Sequence, residues 1–229
     1  MAWLRAKNVR CAWVVMAFFA TVSFAGAPGV KANSGDYVSL LLIGGISSID
    51  DVTVTSGNLE LRNVDDTIAA LGVAFGYNWR KKGVPVRSEI EYHYRIRFDF
   101  DTRVTGDAGF ENQLQTHALL ANAYYDFEWK DRWTLFVGGG IGWAQNVSEV
   151  DRVPLAGGAK TERTDRKNNL AWNIAVGAIY DLSGNWNAEF RYRYIDLGKV
   201  ESGAHTDSRT IKAGSYTSHD LVMGVTYSF

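Results

Sequence analysis

A chain of 229 residues with a formal charge of −1 has room for one domain or one barrel. Beyond the N-terminus no apolar run is long enough to span a bilayer as a helix, which excludes a helical membrane protein but not a β-barrel, whose apolar surface hides in alternation. The mild acidity leaves no electrostatic footprint for nucleic-acid binding, so no nucleic acid is expected as a partner.

The first segment reads as an export signal. Arg5, Lys7 and Arg10 form a basic start, and Cys11 to Ala25 form an apolar stretch too short for a spanning helix. Cleavage after Ala32 fits Val30-Lys31-Ala32, and cleavage after Ala25 fits Ser23-Phe24-Ala25; the first is preferred because strand material starts soon after it. The expected division is residues 1–32 as signal peptide and 33–229 as a barrel. Losing Arg5, Lys7, Arg10 and Lys31 takes the charge to about −5, and losing Cys11 leaves no disulfide.

Eight stretches with a two-residue hydrophobic period follow, and most reach the roughly 9–11 residues needed to cross a bilayer on a tilt. The first, Asp36–Gly45, alternates poorly through Leu40-Leu41-Leu42-Ile43, and its register stays open. In the second, Ile68–Trp79, Leu71, Val73, Phe75, Tyr77 and Trp79 share one face, with small residues opposite. The third, Val86–Phe100, is the sharpest. Ser88, Ile90, Tyr92, Tyr94, Ile96 and Phe98 share one face, and Arg87, Glu89, Glu91, His93, Arg95, Arg97 and Asp99 share the other.

Turning that charged face to lipid costs about 2–4 kcal/mol for each Arg near the midplane, so the charges are expected inside. The fourth and fifth stretches are Thr116–Trp129 and Trp133–Gln145. In the fifth, Trp133, Leu135, Val137, Ile141 and Trp143 point out and three glycines point in. Asn169–Tyr180, Trp186–Asp196 and Ser218–Phe229 complete the set. Glu189, Arg191 and Arg193 of the seventh are expected inside.

The connections alternate. Those at 80–85, 130–132 and 181–185 are short; those at 46–67, 101–115, 146–168 and 197–217 are long and polar. Short periplasmic turns and longer external loops are the pattern of an outer-membrane barrel, and an even strand count returns both termini to one side. Trp79, Trp129, Trp133 and Trp186 flank the short turns, and Trp143 and Trp172 stand beside a long loop, as two aromatic girdles would require. A soluble lipocalin-like barrel would invert the faces. The leader, strand length, loop asymmetry and girdles argue together against it. The fold class expected is therefore all-β, an eight-stranded antiparallel up-and-down transmembrane β-barrel with four long external loops.

Three segments carry a resemblance: Asn122-Ala123-Tyr124-Tyr125-Asp126-Phe127 with the following Leu135-Phe136-Val137-Gly138-Gly139-Gly140-Ile141-Gly142, Arg191-Tyr192-Arg193-Tyr194-Ile195-Asp196, and the closing Tyr227-Ser228-Phe229. On these the chain resembles the outer-membrane β-barrel family of opacity-type surface antigens, related in barrel form to OmpA and often labelled porins. The resemblance implies an outer-membrane location and no enzymatic activity. It also implies that Tyr227 and Phe229 form a C-terminal signal for the insertion machinery.

The candidate functional residues are the inward charges. Arg87, Glu89, Glu91, His93, Arg95 and Arg97 are expected to pair with Asp126, Glu128, Glu189, Arg191 and Arg193 across a lumen only just wide enough for its own side chains. The leading expectation is a plugged barrel with a structural or surface-interaction role, its partners being outer-membrane lipid, lipopolysaccharide, the insertion machinery and an extracellular ligand at the loops. A narrow diffusion porin is the alternative, and a lipid-modifying enzyme the third reading. His93, His117, His205 and His219 show no clear nucleophile–base–acid set, although His205 lies near Asp207 and Ser208, and His219 between Ser218 and Asp220. No catalytic residue, cofactor or metal site is expected. The acidic Asp50, Asp51, Glu60, Asp65 and Asp66 lack EF-hand spacing.

Overall fold

A computed structural model describes residues 35–49, 52–54, 60–61, 64–104, 108–154, 161–202 and 211–229, with side chains for 35–49, 67–96, 114–148, 164, 166–200 and 215–229. The expected leader, residues 1–32, lies outside the described residues. Eight long antiparallel strands form the wall: β1 (Asp36–Ile49), β4 (Val64–Asn78), β5 (Val86–Val104), β6 (Ala108–Lys130), β7 (Trp133–Pro154), β8 (Thr161–Ser183), β9 (Trp186–Ser202) and β10 (Ile211–Ser228). Each pairs with its neighbour in chain order, and β1 closes on β10 from Tyr37↔Ser228 to Ile49↔Tyr216. Two short pieces, β2 (Val52–Val54) and β3 (Glu60–Leu61), attach through Val54↔Ile211. The all-β, eight-stranded up-and-down barrel expected from the alternation is the fold observed.

Closure matters because it leaves no sheet edge unpaired, the condition for a β-structure to stand in hydrocarbon. Among the described residues no helix is long and apolar enough to cross a membrane; the strands do the crossing. Large apolar side chains cover the outside, including Leu71, Phe75, Ile90, Ile141, Leu170 and Leu221. An apolar belt of that extent is a lipid-facing surface.

The strands β4 and β5 are joined by a 3-10 turn, Trp79–Lys82. The Asn78 side chain accepts from Arg80 N at 3.0 Å, and Gly83 ends the turn at φ +80, where a side chain would be strained. Trp79 therefore opens the turn rather than closing the strand. Gly184 serves the β8–β9 turn at φ +59.

The poorly alternating β1 acquires its register from its neighbours. Tyr37, Ser39, Leu41 and Ile43 are buried inside, and Val38, Leu40 and Ile46 are exposed outside. The Tyr37 ring lies over Gly76, directly opposite on β4, and the Phe136 ring lies over Gly177, directly opposite on β8. In both pairs an inward aromatic occupies the space that a glycine leaves.

Two expectations are corrected. The polar stretches read as loops at 101–115 and 146–168 are mostly strand: β5–β6 pairing runs to Val104↔Ala108, and β7–β8 pairing to Arg152↔Thr161. Backbone hydrogen bonding to a partner strand outweighs the weak strand preference of Asp, Asn and Gly there. At 23 residues, β6 is roughly 75 Å long at about 3.3 Å per residue. On a tilt of about 45° it rises roughly 50 Å, well beyond an apolar band of about 25 Å. The second correction is a β-bulge between Arg95 and Phe98, after which Phe98 sits opposite Leu114. Parity counted from Ser88 does not carry past Ile96, because the bulge adds a residue to one strand.

Gly76→Val and Gly177→Val should each lower the unfolding free energy by about 1–3 kcal/mol through overpacking. Gly44→Ala, whose new methyl group meets nothing within 4 Å, should leave it unchanged. Urea unfolding of the lipid-reconstituted barrel measures all three.

Candidate functional site: the charged interior

Because β5 and β9 place alternate residues inward, Arg87, Glu89, Glu91, His93 and Arg95 face Glu189, Arg191 and Arg193 across the barrel, all of them buried. Strand β6 adds Asn122, Tyr124 and Asp126, and β10 adds Asp220. The glycines of β7 give these side chains room: a Cβ on Gly138 would strike Tyr124, and one on Gly140 would strike Asn122.

The network is layered. Near the short turns, Arg87 Nε donates to both Asp126 oxygens at 3.0 Å, and Arg87 Nη1 reaches Glu189 at 3.5 Å. The Arg87 guanidinium also lies 4.8 Å from the Phe136 ring centre and 5.2 Å from that of Tyr124. At mid-height, Arg191 donates to Glu89 at 3.2 Å, to Glu91 at 2.9 Å and to the Tyr124 hydroxyl at 2.7 Å. Glu91 further accepts from Arg193, from Asn122 at 3.3 Å, and contacts His93 Nδ1 at 3.1 Å. Toward the long-loop end, Asp220 binds Arg95 at 2.6 Å and Arg193 at 2.9 Å, and accepts from Ser218 Oγ at 2.6 Å.

Among the described residues of the interior, four buried arginines and one at the rim meet five buried carboxylates. Arg80, Arg87, Arg95, Arg191 and Arg193 stand against Glu89, Glu91, Asp126, Glu189 and Asp220, with Arg80 reaching Asp126 from the rim at 3.9 Å. Such balance is what burial demands, since an unpaired ion in this setting costs several kcal/mol. Beyond the charges, toward the long-loop end, Ile49, Leu114, Ile195, Leu197, Val200 and Tyr216 form an apolar layer, each at most 5% exposed. Ion pairs therefore occupy the lower part of the interior, and above them the apolar side chains share their level with the buried, hydrogen-bonded Ser47, Thr116, Asn146 and Ser218.

The expected network needs correction at Glu128. Its parity is inward, but it lies past the rim with its side chain 78% exposed, and pairs with Arg80 at 3.2 Å. The strand has by then left the barrel interior. The side chain of Arg97 lies outside the described residues. Sequence reasoning missed Asp220, Tyr124, Phe136, Asn122 and Asn173. All follow the inward parity of their strands, and the signal lay in that parity rather than in charge.

Trp79, Trp129, Trp133 and Trp186 stand at the short-turn ends of the wall, whereas Trp143 and Trp172, expected beside a long loop, stand mid-strand because β7–β8 pairing continues past them. Trp79, Trp129, Trp143 and Trp172 are exposed; the Trp133 ring lies 4.8 Å from that of Tyr180, and the Trp186 ring 4.9 Å from that of Tyr227. Tyr227 also meets Phe229 edge-on at 5.3 Å, and Phe229 N donates to Asp36 O at 2.9 Å.

Among the described residues the histidines do not converge with nucleophiles. His93 is buried in the ion network; Ser218 is buried and inward while His219 is exposed and outward. His205, Asp207 and Ser208 lie outside the described residues. Among the described residues no group of His, Cys, Asp and Glu is arranged to hold a metal ion.

The model of the family "Outer membrane protein beta-barrel domain" matches residues 14–229. The chain is 28% identical to the outer membrane protein PagN of Salmonella typhimurium, over 94% of this chain and 95% of that one. It is 29% identical to a putative adhesin of Rickettsia bellii over 48% of this chain and 51% of that one. In fold it resembles the outer membrane protein OprG of Pseudomonas aeruginosa, with a TM-score of 0.50 at 16% identity, covering 86% of this chain and 98% of that one.

Glu91→Gln strips the paired charge from between Arg191 and Arg193 and should cost about 3–5 kcal/mol of stability. Glu128→Gln removes an exposed pair and should cost less than about 1 kcal/mol. Denaturant midpoints of the two variants, each refolded in lipid, give the comparison.

Proposed function

The chain belongs to the outer membrane protein β-barrel domain family, and on that premise we propose a surface-interaction protein with a closed lumen, whose long-loop hairpins meet an extracellular ligand. Its location in the bacterial outer membrane follows from the family and suits the apolar belt. The observation that carries the reading is the apolar layer of Ile49, Leu114, Ile195, Leu197, Val200 and Tyr216 above a neutral ion network. Large apolar side chains at this level oppose the passage of water and ions, and the polar groups beside them are taken up by hydrogen bonds such as Thr116–Asn146. The hairpins supply the second support. Their paired strands rise past the apolar belt, an arrangement suited to contact rather than transport. The description of the Rickettsia relatives as putative adhesins agrees with this use.

Within this reading, residues 1–32 are a signal peptide removed on export, and no residue has a catalytic role. The aromatic end, Tyr227 and Phe229, offers the insertion machinery its recognition strand, and lipopolysaccharide surrounds the outer half of the wall.

A planar bilayer holding the refolded barrel, its fold verified by heat-dependent gel mobility, should show no conductance steps. Reproducible steps altered by Arg95→Ala would replace this reading with that of a narrow porin. Bacteria displaying the intact protein should adhere to host cells, and shortening the β7–β8 hairpin beyond the Asn146↔Lys167 pair should reduce adhesion several-fold while leaving the barrel folded. Unchanged adhesion would rule that hairpin out as the contact.

A further inference from the structure

Histidine on a lipid-facing wall is unusual, because an imidazole carries two polar nitrogens that hydrocarbon cannot satisfy. This wall carries two, on different strands and in the same setting. On β5 and β6, His117 stands directly opposite Tyr94, and its Nδ1 lies 2.8 Å from the Tyr92 hydroxyl. On β9 and β10, His219 stands directly opposite Tyr194, and its Nδ1 lies 2.7 Å from the Tyr192 hydroxyl. The second tyrosine of each cluster packs its ring against the imidazole, at 4.9 Å and 5.2 Å between centres.

The two histidines also share a height. Outward along β6 from the short turn the side chains run Trp129, Phe127, Tyr125, Ala123, Ala121, Leu119, then His117 and the polar Gln115. Outward along β10 they run Tyr227, Val225, Met223, Leu221, then His219 and the polar Thr217. Each histidine holds the last place before the wall turns polar, which is the level where acyl chains give way to headgroups.

A phenol is a stronger hydrogen-bond donor than acceptor, so the 2.8 Å and 2.7 Å contacts favour a hydrogen bond from each tyrosine hydroxyl to Nδ1, with the ring N–H then on Nε2. Among the described residues neither Nε2 has a hydrogen-bond partner; His219 is exposed and His117 half-buried. The wall thus offers two oriented N–H donors at headgroup height, each backed by an aromatic pair.

We propose that these two Tyr-His-Tyr clusters are binding sites for the phosphate groups of outer-leaflet lipid A. Each His Nε2–H donates to a phosphate oxygen, and the flanking tyrosine rings seat the sugar to which the phosphate is attached. Two sites on separate flanks would hold a pair of lipid molecules against the wall. The proposal rests on the membrane placement of the barrel and not on adhesion, so the two readings fail separately.

The test is native mass spectrometry of the folded barrel in detergent with added bis-phosphorylated lipid A. The wild-type protein should retain up to two lipid molecules, and the His117→Phe/His219→Phe variant should retain about fivefold less, as expected for the loss of one directed hydrogen bond per site. Gel mobility establishes that the variant is folded. Tyr92→Phe/Tyr192→Phe, which removes only the hydroxyls that set the tautomer, should weaken retention in a barrel of unchanged shape. Nitrogen-15 shifts of both Nε2 atoms should move when the phosphorylated lipid is added. Equal retention of lipid A lacking phosphate, equal retention by the folded histidine variant, or unmoved Nε2 shifts would overturn the proposal.

Discussion

The interior depends on the carboxylate of Glu91. It is fully buried, and Arg191, Arg193, Asn122 and His93 all direct a nitrogen at it. A carboxylate so placed is tolerated only because those nitrogens satisfy its lone pairs. Its partners in turn have no other way to neutralise their charge than Glu89, Glu189 and Asp220. The smallness of an eight-stranded lumen favours this economy, since its interior is only just wide enough for its own side chains. The glycines of β7 and the aromatic–glycine pairs on the wall are the spatial side of the same constraint.

Much of this was legible in the sequence because one side of the wall meets hydrocarbon. Lipid imposes a strict alternation, and the charged face of β5 could only be the inner one. The strand count, order and closure followed from that alternation and from the spacing of turns. The register of β1, with its run of Leu40 to Ile43, was not legible; it is set by its neighbours, with Tyr37 opposite Gly76 on the ladder.

What was not legible has specific causes. The bulge between Arg95 and Phe98 breaks parity at a point where Ile96, Arg97 and Phe98 still look regular. Glu128 has inward parity but stands beyond the rim, and parity holds no information on height. The hairpins past the bilayer are built from Asp, Asn, Thr and Gly, residues that read as loop; only partner-strand hydrogen bonding keeps them extended. In the site itself, searching by charge found both halves of the Arg87–Asp126, Arg191–Glu89 and Arg193–Glu91 pairs but passed over Asp220, the partner of Arg95 and Arg193. It also passed over Tyr124 and Phe136, whose rings accept the guanidinium faces.

The ion pairs join parts of the chain that are made far apart in time. Arg95 and Asp220 are separated by 125 positions, and Glu91 and Arg191 by 100. Contacts of such separation form late, after a large loop-closure cost has been met. Until β10 arrives beside β9 and closes on β1, Arg95 and Arg193 lack Asp220, and a partly assembled sheet carries unmatched charge on the surface that will become its inside. Half a barrel is therefore not a smaller stable object. Assembly in the bilayer is driven toward a single cooperative closure, and β10, the strand that closes on β1, carries the carboxylate that Arg95 and Arg193 share.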